Sequence, residues 1–290
     1  MSPLRFLDAW IDHRRLIREC GVVEYRLGRI LERDVTLSPA SAGGGQDRIF
    51  FAKTRRAPNS SVASVRMNCP WRTGEPAEPS LPRISLSAVQ RLTRESRCYE
   101  RLSVERLSPE LIEVGQHYLA NTYLPWRRLS HVLKQCSANL WPLLPVVLDA
   151  VRRMHHRGVT HMDLNCGNVL IAPNFREAAF IDFEYAPAHR LLRFDQQRFD
   201  FLRLAHDLLK PRRGREAAFR HPARFVSLFA QFVPESGFGL PEPFEVTGFS
   251  RVLEHPVICE GLADLLGIIP SQMHSSVRRS NLTTRQRRAA

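Results

Sequence analysis

The chain has 290 residues, of which 43% are hydrophobic and 24% are charged, as in an ordinary soluble globular protein. No run of about 18 apolar residues occurs, which excludes a transmembrane helix. Asp8 and Asp12 interrupt the apolar stretch that a secretory signal needs. The formal net charge of +13 favours anionic partners, namely nucleotide phosphates, nucleic acid or an anionic lipid surface.

Six cysteines are spread along the chain without a C-x-x-C pair. This spacing supports neither a zinc site nor a disulfide framework, so free thiols are predicted. Residues 276–290 carry five arginines and no acid. They are predicted to form a disordered basic tail, which is either a solvated end or a contact for a membrane surface or RNA.

In chain order, the first predicted element is a short amphipathic helix over residues 1–20, where apolar residues recur near helical spacing. Two β-like runs follow within residues 22–37. Three glycines at 43–45 predict a turn before a strand at 48–53. Residues 54–84 contain five prolines among serines and arginines and are predicted to be a loop or insertion.

The middle of the chain changes from strands to helices. A helix is predicted over residues 87–103, followed by a strand pair at 110–114 and 117–124. From residue 140 the apolar residues follow the 3.6-residue period up to Gly158, which is a fitting helix stop. A further helix is predicted beyond Asp195. A strand-rich first part with one helix, followed by a mainly helical second part, predicts an α+β fold.

The clearest motif reads His161-x-Asp163-Leu164-x-x-x-Asn168. Phosphoryl transfer needs a carboxylate near the attacking hydroxyl and oxygen ligands for magnesium. Asp163 is placed to orient the acceptor hydroxyl and accept its proton. Asn168, five residues further on, is placed to turn back and ligate Mg²⁺.

A second predicted metal ligand is Asp182. The runs at 169–171 and 179–181 predict a hairpin, and Asp182 follows directly at the end of its second strand. In the structural alternative, Asp163, Asn168 and Asp182 are turn and loop residues, which does not explain why all three occur at these spacings.

The cation for the nucleotide phosphates is predicted at Lys53, in the place of the lysine in the V-A-I-K pattern. A compact ammonium suits simultaneous contact with phosphates and a glutamate. Glu95 on the following helix is the predicted partner, with Glu100 as the fallback; the alternative for Lys53 is a solvated strand end. No G-x-G-x-x-G occurs, so the turn around Gly28 is the candidate phosphate cover.

These motifs resemble the protein-kinase-like superfamily over residues 22–210 and, within it, the bacterial lipopolysaccharide core kinases, the Kdo and heptose kinases. The similar segments are Glu24-Tyr25-Arg26, Phe50-Phe51-Ala52-Lys53, Arg94-Glu95-Ser96-Arg97 and the stretch from Arg198 to Leu204. The resemblance implies a bilobal fold, ATP and Mg²⁺ as cosubstrates, and a sugar hydroxyl of the lipid A-core as acceptor. It also implies that His161 and Asp200 support the catalytic loop.

Two positions depart from the protein-kinase pattern: Met162 replaces an arginine, and Glu184 replaces the glycine of D-F-G. The stretch from Ile181 to Ala186 is similar to the choline and ethanolamine kinases. A choline- or aminoglycoside-type small-molecule kinase is therefore the alternative enzyme. The non-enzyme alternatives are a pseudokinase or binding scaffold and, from the basic tail alone, a nucleic-acid binder.

The predicted organisation is an N-lobe at 1–122, a C-lobe at 123–275 and the basic tail at 276–290. The expected location is the cytoplasm, with a peripheral contact at the anionic surface of the inner membrane, where a glycolipid acceptor would lie. Nucleic acid is not an expected partner, because no aromatic-rich RNA motif accompanies the tail.

Overall fold

The computed structural model describes residues 3–40, 48–54, 56–67, 83–189, 191–233 and 249–266. The described residues divide into two compact units: those within 1–77 and 86–124 form unit 1, and those within 78–85 and 125–290 form unit 2. The predicted turn at 43–45 and the basic tail lie outside the described residues.

The strands of the described part are β1 (Val35–Pro39), β2 (Arg48–Thr54), β3 (Ala57–Met67), β4 (Arg83–Ser85), β5 (Leu111–Val114), β6 (Tyr118–Thr122), β7 (Arg127–Arg128), β8 (Val169–Ile171), β9 (Ala178–Phe180) and β10 (Tyr185–Pro187). The α-helices are α1 (Pro3–Ile30), α2 (Ala88–Ser103), α3 (Leu129–Gln135), α4 (Leu140–His156), α5 (Arg193–Leu208), α6 (Arg215–Arg220), α7 (Pro222–Ala230) and α8 (Pro256–Leu266). None of these helices is long and apolar enough to cross a membrane.

Unit 1 is built on an antiparallel sheet with the strand order β1-β2-β3-β6-β5. One face of this sheet is covered by α1. Val23 and Leu27 on the helix are fully buried in one cluster with Phe50, Val65 and Met67 of the sheet. Burial of each such side chain contributes about 1.5–3 kcal/mol, so the helix is an integral part of the core of unit 1.

The expectation of β-like runs within residues 22–37 is wrong for its first part, because α1 continues to Ile30. The run of valines at 22 and 23 has strand propensity. However, Leu16, Val23 and Leu27 share one side of a helix, and their burial against the sheet outweighs that propensity. Gly28, the candidate phosphate cover, therefore lies in a helix and not in a turn. Strand structure begins only at Val35.

The expectation that residues 54–84 form only a loop or insertion is also wrong, since β3 occupies Ala57–Met67 and β4 occupies Arg83–Ser85. In β3 the buried residues Ala63, Val65 and Met67 alternate with less buried neighbours, which is the period of a strand. The prolines misled the prediction because most of them fall after Met67. The part at 68–82 lies outside the described residues.

Helix α2 starts where the sequence predicts it. Ser87 accepts a hydrogen bond from the backbone N–H of Gln90, and the Gln90 side chain accepts one from the backbone N–H of Ser87 at 3.0 Å. This capping box satisfies two backbone donors that a helix start leaves unpaired. The helix places Glu95 and Tyr99 on its buried side.

Unit 2 is mainly helical. Helix α4 buries Leu144, Val147, Leu148, Val151 and Met154 at the predicted 3.6-residue period. Two small sheets complete the unit, one with the order β7-β8-β9 and one formed by the antiparallel pair β4 and β10. A sheet-rich first unit and a helical second unit confirm the predicted α+β class.

Candidate active site

The catalytic-loop motif lies between α4 and β8 in unit 2, and buried carboxylates of α5 hold its backbone. Asp200 is fully buried and accepts hydrogen bonds from the backbone N–H groups of His161 and Met162, each at 2.8 Å. Its Oδ2 also lies 3.0 Å from Nε2 of His155. Asp207 accepts a further bond from the backbone N–H of Cys166 at 2.8 Å. The loop is therefore fixed at its start and in its middle by charge-assisted hydrogen bonds.

The surroundings of Met162 explain why a methionine replaces the arginine of the kinase pattern. Its φ angle of 64° lies in the left-handed region, and its side chain is fully buried. A guanidinium at this buried position would lose its hydration, whereas the thioether does not carry that cost. Local strain of this kind is held in place by the surrounding contacts and is common at functional sites.

The loop is joined to the segment that follows β9 and contains Asp182. Nε2 of His161 lies 3.0 Å from the carbonyl oxygen of Ile181, and the backbone N–H of Ile181 donates to the carbonyl of Asn168 at 3.1 Å. The rings of His161 and Phe183 pack with their centroids 4.7 Å apart. Asp182 itself has a φ of 76°, so the chain turns sharply at the end of β9. Asn168 and Asp182 thereby belong to one connected framework.

The residues predicted for magnesium fit a hard cation in their chemistry. Nδ2 of Asn168 donates to the carbonyl of Asp163 at 3.1 Å, which orients the amide so that its oxygen can serve as a ligand. Asp182 supplies carboxylate oxygens. Within the described ranges no group of three or more His, Cys, Asp or Glu residues could hold a metal ion. Mg²⁺ keeps several waters and binds substrate phosphates, so an amide and a carboxylate from the protein are a chemically suitable ligand set.

The carboxylate of Asp163 accepts hydrogen bonds from two arginines. Arg83 of β4 donates from Nη1 to Oδ1 of Asp163 and to the carbonyl of Met162, the latter at 3.3 Å. Arg203 of α5 donates from Nη2 to the same Oδ1 at 2.5 Å. Nδ2 of Asn165 donates to the other carboxylate oxygen at 3.2 Å. The candidate base is thus held in one orientation by three side chains.

The surroundings of Arg203 are positively charged. We call Arg203, Lys210 and Arg251 the basic cluster. The pKa of His206 is lowered to about 4 by burial and by repulsion from Arg251 and Arg203. The imidazole is therefore neutral at pH 7, and its Nε2 can accept a hydrogen bond from Arg251. Burial and the same two arginines also lower the pKa of Lys210.

In unit 1 the structure pairs Glu95 with Arg66. Nη1 of Arg66 lies 2.9 Å from Oε2 of Glu95, and the hydroxyl of Tyr99 donates to Oε1 at 2.8 Å. Glu95 is almost fully buried, with 2% of its surface exposed. Lys53 lies on β2 opposite Thr36, on the sheet face away from α1 because its neighbour Ala52 belongs to the α1-facing cluster. Its role at the phosphates stays a prediction.

The model of the lipopolysaccharide kinase (Kdo/WaaP) family matches residues 132–220, less than half of the chain. The matched segment contains the catalytic loop, β8, β9 and Asp182. This match supports the predicted resemblance to the protein-kinase-like superfamily and, within it, to the lipopolysaccharide kinases. The prediction of a kinase-type phosphotransferase is confirmed by the same match.

Solved structures similar to this kinase-like chain include kinase domains of PknI from Mycobacterium tuberculosis. One, a double mutant, is 17% identical with a TM-score of 0.45, and the alignment covers 82% of this chain and 89% of that chain. Another is 16% identical with a TM-score of 0.39, and its alignment covers 82% of this chain and 90% of that chain. No curated protein matches the chain.

Arg66 is a functional candidate that the sequence analysis missed. In protein kinases, a lysine on the third strand pairs with a glutamate of the following helix. Here β3 is the third strand, and its residues 63–66 read Ala-Ser-Val-Arg, so that an arginine stands at the end of the strand where V-A-I-K has its lysine. The sequence did not indicate Arg66, because its strand lies in the segment that the prolines predicted to be a loop. In addition, only three of the 42 basic residues are lysines, which made Lys53 a more specific candidate than any single arginine.

Thiol reactivity offers a check on the packing around the catalytic loop. Burial raises the pKa of Cys166 to about 12 and that of Cys98 to about 11, whereas Cys136 is exposed. At pH 8 only about one Cys166 thiol in ten thousand would be ionised, and the thiolate is the reactive form. Treatment of the native protein with iodoacetamide is expected to modify Cys136 long before Cys166 or Cys98. Peptide mass spectrometry over time measures this order, and rapid native labelling of Cys166 would contradict the described packing.

Proposed function

We propose that the chain is an ATP-dependent kinase that phosphorylates a hydroxyl of a sugar in the lipopolysaccharide core. The observation that carries this proposal is the match of residues 132–220 to the lipopolysaccharide kinase family, because that segment contains Asp163, Asn168 and Asp182 in a connected catalytic loop. The net charge of +13 suits an anionic glycolipid at the cytoplasmic surface of the inner membrane.

In the proposed reaction, the acceptor oxygen forms a bond to the γ-phosphorus while the bond from that phosphorus to the bridging oxygen breaks and ADP leaves. Asp163 accepts the proton of the hydroxyl. Asn168 and Asp182 would hold Mg²⁺, which supplies positive charge to the phosphates when it is bound. Asp200 fixes the backbone just before Asp163 in advance, so the base is already positioned when the acceptor binds.

We also propose that Arg66 contacts the nucleotide phosphates, with Glu95 as its positioning residue. The ion pair holds the guanidinium on the sheet face away from α1, which is also the face of Lys53. A guanidinium can contact a phosphate with two parallel N–H groups while it stays bonded to a carboxylate.

Replacement of Arg66 by alanine is expected to weaken nucleotide binding about tenfold or more, since a hydrogen bond to a charged group contributes about 1.5–3 kcal/mol. Lys53→Ala is expected to cause a smaller loss, and Arg66→Lys to retain part of the affinity. Titration calorimetry with Mg²⁺ and a non-hydrolysable ATP analogue measures each dissociation constant. Arg97→Ala, which removes an exposed arginine of α2, is the matched control. If only Lys53→Ala weakens binding, Lys53 and not Arg66 is the phosphate cation.

The experiment that tests the function uses labelled ATP, Mg²⁺ and a panel of acceptors, namely a core oligosaccharide linked to lipid A, choline and an aminoglycoside. Wild type is compared with Asp163→Ala and Asp182→Ala. We expect transfer to the core sugar by wild type only, and weaker binding of the magnesium nucleotide by Asp182→Ala.

The same panel separates the alternatives. Transfer to choline or an aminoglycoside, with none to the core oligosaccharide, would replace the proposed acceptor but keep the enzyme class. Binding of the magnesium nucleotide without transfer to any acceptor or to water would favour a scaffold. A wild-type protein that shows neither binding nor transfer would overturn the proposal.

A further inference from the structure

Arg83 reaches the catalytic loop from a part of the sequence that lies far away from it. Its strand β4 pairs antiparallel with β10, so that Arg83 lies opposite Pro187 and Ser85 opposite Tyr185. β10 begins three residues after Asp182. The pairing therefore fixes β4 beside the segment that follows the candidate metal ligand Asp182. This backbone pairing places Arg83 within hydrogen-bond distance of Asp163.

The guanidinium of Arg83 is held in a defined plane. Its central carbon lies 4.0 Å from the ring centroid of Tyr185, which is a cation–π contact. Both polar contacts described above, to Asp163 and to the carbonyl of Met162, use the single nitrogen Nη1. A guanidinium has five N–H donors, so these contacts use only a part of its capacity.

At the carboxylate of Asp163, the arginines outnumber the acid that they bond. Arg83 and Arg203, which we call the arginine pair, both bond the same carboxylate oxygen. Two positive charges thus meet one negative charge at this oxygen, whereas Lys210 of the basic cluster has its own partner in Asp207. Asp163 is 16% exposed at its side chain and the two arginines are 19% and 24% exposed, so solvent reaches all three.

A purely structural purpose accounts poorly for this arrangement. Ion pairs that are mostly buried lose hydration, and this cost offsets much of their mutual attraction, so such a pair is weak evidence of a stabilising role. A carboxylate that only needed to be held in place would be held by one arginine together with Asn165. Developing negative charge at a reacting phosphoryl group, in contrast, is stabilised by cations placed around it in advance.

We propose that the arginine pair is a binding site for the anionic oxygens of a phosphoryl or carboxylate group next to the acceptor hydroxyl. The inference rests on the proposed function and deepens it. As the acceptor oxygen bonds to the γ-phosphorus, the bond to the leaving ADP oxygen breaks and Asp163 takes the hydroxyl proton. The bound group is either the transferred phosphoryl group itself or an anionic group of the acceptor sugar.

The test compares wild type with Arg83→Ala, Arg83→Lys and Arg203→Ala, and uses Arg152→Ala on the exposed side of α4 as the control. Three quantities are measured: the rate of transfer to the acceptor, the rate of ATP hydrolysis in the absence of acceptor, and ADP affinity by calorimetry. Circular dichroism verifies that each variant is folded. We expect Arg83→Ala to lower kcat/KM for transfer about 100-fold or more, with ADP affinity unchanged.

The two sources of the anion give different results. If the pair binds the transferred phosphoryl group, kcat falls and hydrolysis to water falls with it, and Arg83→Lys restores part of both rates. If the pair binds an anionic group of the acceptor, the KM for the acceptor rises while hydrolysis to water is unchanged.

Two results would overturn the inference while leaving the proposed function intact. Variants as active as wild type would show that the arginine pair is only an ion pair. Variants more active than wild type would show that Arg83 covers the carboxylate and has to leave it. A wild-type protein that neither binds ADP nor hydrolyses ATP would refute the proposed function, and the inference with it.

Discussion

Replacement of Asp163 by asparagine is expected to lower kcat for phosphoryl transfer by about 1,000-fold. General-base contributions of positioned carboxylates are typically about 10²–10⁴-fold, and the amide has the size of the carboxylate but cannot take up the proton. The measurement is the initial rate of label transfer from ATP to the acceptor at saturating concentrations of both substrates. Nucleotide affinity should change little, because Asn168 and Asp182 retain their oxygens.

Asp149→Asn is the matched control for this variant. Asp149 lies on α4, is 39% exposed at its side chain and pairs with Arg152 only 2.7 Å away, so the same chemical change is made at an ion pair on the surface. It is expected to leave kcat unchanged. Retention of more than about a tenth of the wild-type kcat by Asp163→Asn would contradict the assignment of Asp163 as the base.

Replacement of Asp200 by alanine is expected to lower the free energy of unfolding by about 3–5 kcal/mol, as for other buried charges whose removal leaves their partners unpaired. The change leaves the backbone N–H groups of His161 and Met162 without their acceptor in a fully buried place, and His155 loses its contact too. Urea denaturation followed by circular dichroism measures the loss.

Asp200→Asn refines this test, because the amide retains one of the two acceptor oxygens. It should be less destabilising than Asp200→Ala. Asp149→Ala, at the exposed site on α4, should change the free energy of unfolding by no more than about 0.5 kcal/mol. A loss below about 1 kcal/mol for Asp200→Ala would mean that the backbone of the catalytic loop is not held by this carboxylate.

The catalytic loop could be predicted from sequence because its parts are consecutive. Asp163 and Asn168 are five residues apart, and Asp182 follows after one short hairpin, so local spacing alone carries the prediction. Helices α2, α4 and α5 were predictable for a similar reason, since each has its own period of buried residues. Ser87 and Gln90 add a local start signal for α2.

The partners of these residues could not be predicted, because they depend on contacts between distant segments. Arg83 meets Asp163 across 80 positions, and this depends on the pairing of β4 with β10. The Arg66–Glu95 pair depends on how α2 packs against the sheet that contains β3. Strand pairing of this kind is set by packing and register, for which a single sequence carries no local signal.

The burial of α1 has a consequence for the production of fragments. A truncated chain that starts at β1 would lose Leu16, Val23 and Leu27 and would present Phe50, Val65 and other apolar side chains of the sheet to water. Contiguous exposed apolar surface on a sheet promotes self-association. Shortened versions designed around the kinase motifs alone should therefore retain the residues of α1, although none of the catalytic residues lies in that helix.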